Sequence, residues 1–210
     1  MLRMAVMLLL GSASYGFSIG FFHSSTYALR NMIKFPLLIF CTATICAMAY
    51  FLVSRLLGVN IGFRSVQRLS ADIFAGVSLL LASLAIPNLF LALTLDQPTS
   101  AEALGAYPLF QGFNVLLIAI CGCLALVRQG GRLLAEHGLN TKKAFAMIFV
   151  WLALSLPVGG QGAWFLRPFF GISALPHLED FCLGTRPDWR GDTNFFEAVY
   201  HIVSPPGGNQ

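Results

Sequence analysis

The sequence predicts an all-α fold, an integral membrane bundle of four to five transmembrane helices, on three observations. The chain of 210 residues is 57% hydrophobic and only 10% charged, with a mean hydropathy of +0.74. Soluble domains carry about 25% charged residues, so this chain has too little polar surface to face water on every side. Its apolar residues also gather into runs long enough to cross about 30 Å of hydrocarbon at 1.5 Å per residue. Finally, the charges fall between those runs, with none in the middle of a long span. The formal net charge of +4 is small and the 13 basic residues are scattered singly or in pairs, which excludes nucleic acid as a partner.

Three regions follow: an N-terminal membrane or interfacial segment over 1–34, a four-helix transmembrane core over 35–166, and a polar tail over 167–210. In the first, Arg3 precedes a short apolar core from Met4 to Leu10, with small residues at Gly11, Ser12 and Ala13, the pattern of a secretory signal peptide. Apolar character resumes from Tyr15 to Phe22, and cleavage would strand that half in water, so an uncleaved membrane segment is preferred. Gly16 and Gly20 form a small-residue pair that permits close helix approach, though such pairs are common by chance.

The four long spans run Phe35 to Leu57, Ile73 to Leu95, Tyr107 to Val127, and Ala144 to Trp164. Lys34 and Arg55 bracket the first as headgroup-seeking anchors, and Pro36 suits its first turn. Ser70 and Asp72 suit the start of the second, and Pro87 interrupts its middle and predicts a kink. In the third, Pro108 suits the first turn, while Gln111 and Asn114 share a face turned to neighbouring helices.

The short loops set the orientation. Loops 55–72 and 128–143 hold Arg55, Arg64, Arg68, Arg128, Arg132, Lys142 and Lys143, whereas the loop from Asp96 to Ala106 holds no basic residue. By the positive-inside rule the two basic loops are cytoplasmic, and the chain is expected in the cell inner (plasma) membrane.

Chemistry is harder to find. Residues 157–171 gather Pro157, Gly159, Gly160, Gln161, Gly162, Trp164, Arg167 and Pro168, which would either break a helix, leaving backbone to be satisfied by protein or water, or admit close packing. Gln161, Trp164, Arg167 and Pro168 are therefore the candidate functional or structural junction. The plainer reading is preferred, a helix leaving the membrane with Trp164 in the aromatic belt and Arg167 at the headgroups. His177, Glu179, Asp180, Cys182 and His201 match no ligand spacing, and Cys121 and Cys123 face different ways on a helix, so no metal site is expected. No catalytic or cofactor-binding motif is present either, and no cofactor is expected.

Several stretches carry a resemblance: Lys34-Phe35-Pro36-Leu37-Leu38, Leu57-Gly58, Leu84-Ala85-Ile86-Pro87, Gln161, Trp164-Phe165-Leu166-Arg167-Pro168-Phe169-Phe170-Gly171, Arg190-Gly191 and Asn194-Phe195-Phe196. In these the chain resembles a group of bacterial multi-pass membrane proteins with no assigned activity and, more distantly, the Yip family of membrane-trafficking proteins. Those have a long cytoplasmic N-terminal region that this sequence lacks. The resemblance implies a multi-pass topology and no particular chemistry. The expected role is that of a non-enzymatic scaffold or accessory subunit of a membrane assembly, contacting membrane lipids and either copies of itself or other membrane subunits. The alternative is a small transporter or lipid-handling protein with its site at a broken helix over 157–171.

Overall fold

The computed structural model describes residues 2–95, 106–166 and 193–203, and the side chains of 4–95, 109–166 and 193–200. The described residues form helices joined by short turns, with no strand among them. In order they are α1 (Leu2–Phe21), α2 (Ser25–Leu56), α3 (Phe63–Thr94), α4 (Ala106–Glu136), α5 (Thr141–Phe165) and the short α6 (Phe195–Val203). The first five are long and apolar enough to cross a membrane. Lipid offers no hydrogen bonds, so helices that satisfy their own backbone are what such apolar runs can form there. Large apolar side chains accordingly face outward, among them Ile86 (79% exposed), Phe145 (73%) and Phe90 (69%).

Helix limits differ from the apolar spans because helices continue past the hydrocarbon. α2 begins at Ser25, ten residues before Phe35, where Ser24 caps it by accepting from the Tyr27 amide at 3.3 Å. Pro36 thus lies deep in α2 and not in its first turn, and Lys34 is inside the helix and not at its edge. α3 begins at Phe63, so Ser70 and Asp72 do not start it; Ser70 instead donates to the Ala43 carbonyl of α2 at 2.7 Å. The buried stripe Val66, Leu69, Ile73 and Val77 shows why these residues are helical: they repeat at three- and four-residue steps on one face. α5 continues unbroken through Pro157, Gly159, Gly160 and Gly162, so over 157–165 the helix does not break and Gly160 and Gly162 instead admit the close approach of Phe195 and Leu38.

Two turns at one end of the bundle use the same device. Gly58 (φ +72°) follows α2 and Gly138 (φ +64°) follows α4. After each, paired bonds close the helix: Val59 N to Ser54 O at 2.8 Å with Gly58 N to Arg55 O at 3.1 Å, and Leu139 N to Leu134 O at 3.2 Å with Gly138 N to Ala135 O at 3.0 Å. This is the Schellman motif, whose left-handed residue favours glycine.

α1 packs chiefly against α2 and α3, with Ser12, Tyr15 and Ile19 fully buried. It runs antiparallel to α2 and parallel to α3, and its glycines allow the approach. A Cβ on Gly11 would stand 2.5 Å from the Ser78 carbonyl oxygen, on Gly16 2.5 Å from that of Asn31, and on Gly20 2.5 Å from that of Tyr27. The remaining helices form a ring. α2 meets α3 through Phe51 and Phe63, α3 meets α4 at Gly76 and Ala125, α4 meets α5 where Gly130 faces Trp151, and α5 returns to α2 where Gly162 faces Leu38.

Candidate functional site

Of the junction residues, Gln161 lies on the exposed face of α5 and Trp164 is buried, while Arg167 and Pro168 lie outside the described residues. Because α5 is continuous there, its glycines free no backbone for the Gln161 amide to satisfy. Their value is their small size. Gly159, Gly160 and Ala163 form one wall of a cavity of about 220 Å³ inside the ring.

Each ring helix turns one stripe toward this cavity: Phe35, Leu38, Ile39, Thr42 and Tyr50 from α2; Ile73, Phe74 and Val77 from α3; Val115, Ala119, Gly122 and Leu126 from α4; Leu152, Leu156, Gly159 and Ala163 from α5. Within α4 and α5 the steps of three and four residues place each set on one helical face. Polar groups in the lining are few, mainly Thr42, Tyr50, Cys123 and Ser155. α6 reaches the opposite end through Phe195 and Phe196. The Phe195 ring rests on Gly160, where a Cβ would stand 2.6 Å from its Cδ1. A reciprocal cap holds the start of α6: Glu197 N donates to Asn194 Oδ1 at 3.0 Å, and the Glu197 carboxylate accepts from Thr193 N at 2.8 Å.

At the end nearer the basic turns, Tyr50 and Trp151 form a floor. Their rings stack with centroids 5.2 Å apart at 29°, and both are essentially inaccessible. Ser155 Oγ donates to the Trp151 carbonyl at 2.7 Å, so its single proton is committed and the Tyr50 hydroxyl is the donor in the Tyr50–Ser155 bond.

A separate set of buried polar groups lies around α1. Tyr15 donates to Asn114 Oδ1 at 2.7 Å, Asn114 Nδ2 to the Phe110 carbonyl at 2.9 Å, and Asn88 Nδ2 to Ser18 Oγ at 3.0 Å. Asn114 is thus the inward-facing member of the Gln111–Asn114 pair, while Gln111 is half-buried. Interhelical bonds of this kind contribute about 0.6 kcal/mol each on average, enough to fix the register of α1 against α3 and α4. His23, in the turn between α1 and α2, packs edge-on against Tyr27, and partial burial lowers its pKa from the ordinary histidine value.

Lys34 is fully buried, and its Nζ donates to the Leu166 carbonyl at 3.2 Å. That carbonyl belongs to the C-cap of α5, where unpaired carbonyls and the helix dipole favour a cation. Lys34 therefore ties α2 to the end of α5 instead of reaching for headgroups. Of the cysteines in apolar runs, Cys46 and Cys121 are buried, Cys123 is half-buried beside the cavity and Cys41 is exposed.

The sequence did not single out Tyr50 or Ser155, and Phe195 and Phe196 entered only through the resemblance. The signal was present in the small residues repeated on one face of α4 and α5, but a sequence does not say whether such a stripe meets another helix or a void. No known protein family, no curated protein and no solved structure matches this chain.

Proposed function

We propose that this is a non-enzymatic lipid-handling membrane protein that holds one hydrocarbon chain inside its helical ring. The observation that carries this reading is the apolar cavity of about 220 Å³. Wherever such a space is left unfilled, its lining atoms lose the dispersion contacts that a packed neighbour would give. Water is a poor filler where so few polar partners line the wall. The solvent around the bundle is itself hydrocarbon, so a lipid chain is the abundant molecule that fits.

The test is purification in mild detergent followed by lipid extraction and mass spectrometry. The expected result is a defined lipid in stoichiometric amount. Gly122→Leu should displace it with folding intact, since a Cβ at Gly122 meets nothing within 4 Å and its face is turned to the cavity. Wild-type protein free of any retained lipid would refute the reading.

A scaffold or accessory-subunit role, with a second copy or another membrane subunit, is favoured by α5. Of its 25 residues, Met147, Trp151 and Trp164 are buried, while Phe145 and Phe149 stand exposed where another helix could pack. The same detergent preparation tests this role, which predicts a stoichiometric second subunit and fails on a monodisperse single chain.

We also assign the end bearing turns 57–62 and 137–140 to the cytoplasm of a cell inner membrane, from the basic residues flanking those turns. Arg64→Cys, in a background without native cysteines, should react with an impermeant reagent only after permeabilisation. Labelling of intact cells would reverse the orientation.

A further inference from the structure

We infer that Tyr50 determines the length of the hydrocarbon chain the cavity accepts, with the chain entering tail-first from the α6 end and stopping on the Tyr50 ring. The inference rests on the lipid-handling reading and adds a specificity-determining residue to it.

The two ends of the cavity differ in kind. At the Tyr50 end every hydroxyl is already committed, Tyr50 to Ser155 and Ser155 to the Trp151 carbonyl, so nothing there asks for a polar headgroup. The ring is 1% exposed and backed by Trp151 at 0%. Stacked against Trp151, it has no free volume into which it can swing without breaking that contact, and it behaves as a fixed stop. The other end is bordered by α6, whose first turn carries Phe195 and Phe196 toward the cavity and Thr193 and Glu197 in a polar cap beside them. An amphiphile would find an apolar entrance there next to polar groups, and a closed apolar end opposite.

The volume bounds what fits. An apolar cavity of about 150 Å³ takes a molecule the size of benzene, so one of about 220 Å³ takes a short stretch of a single hydrocarbon chain, the tail of an acyl or a prenyl group, whose end meets the floor.

The experiment is mass spectrometry of hydrocarbon chains retained by the purified wild type and by Tyr50→Phe, Tyr50→Leu and Tyr50→Ala. Spacing by methylene units identifies an acyl series and spacing by isoprene units a polyprenyl series. Tyr50→Phe keeps the stop and should retain the wild-type length distribution. Tyr50→Ala, and to a smaller degree the better-filling Tyr50→Leu, should shift the distribution toward longer chains. Lipid bound by the folded Leu or Ala variant with unchanged chain length would overturn the role of Tyr50 while leaving the cavity a lipid site. Absence of any retained chain from wild-type protein would overturn both.

Discussion

Gly16→Ala is expected to destabilise the bundle severely, although it adds a single methyl group to a helix. The new Cβ would stand 2.5 Å from the Asn31 carbonyl oxygen and 2.7 Å from the Phe35 Cβ, and one of these neighbours is backbone. No rotamer change relieves the clash, so α1 and α2 must separate. Overpacking of this kind costs about 1–3 kcal/mol and more where backbone must move. Replacing glycine by alanine in a helix returns only about 1 kcal/mol of propensity. The same substitution at Gly112, where a Cβ meets nothing within 4 Å, should be neutral or stabilising. Thermal midpoints and folded yield in detergent should therefore move in opposite directions for the two variants. A Gly16→Ala protein as stable as wild type would show that α1 is not seated as tightly as described.

Lys34→Glu is expected to abolish accumulation of folded protein. A lysine ammonium only donates hydrogen bonds, so all its bonding partners, the Leu166 carbonyl among them, are acceptors. A carboxylate in the same fully buried position would confront those acceptors with its own lone pairs. Uncompensated buried charge typically costs several kcal/mol, a large share of a marginal total. Lys34→Met keeps the volume and removes the charge, and should cost far less, because burying a charge has its own desolvation penalty. The order wild type, Met, Glu in folded yield is the expected result. Equal yields for Met and Glu would mean that the site is open to water.

Membrane character was legible because it depends on composition summed over long windows: few charges and long apolar runs leave lipid as the solvent whatever the packing. The five helices follow from the same runs once Met1 to Phe22 is read as a membrane segment. Helix ends were legible where a local device sets them, as at Leu57-Gly58. They were misplaced where the helix outlasts its apolar stretch. Ser25 to Lys34 looks like a polar approach, yet Asn31 and Lys34 are buried against other helices.

The sequence by itself thus determined the solvent, the secondary structure and the spacing of small residues along each helix. Tertiary structure decided what those residues do, because a helix carries the same stripe whether its neighbour lies in contact or across a gap. Gly16 and Gly20 admit a neighbouring backbone, whereas Gly122 and Gly159 leave a cavity. It likewise decided that Lys34 meets a helix end and not a headgroup, since the acceptor at Leu166 comes from a helix far away in sequence.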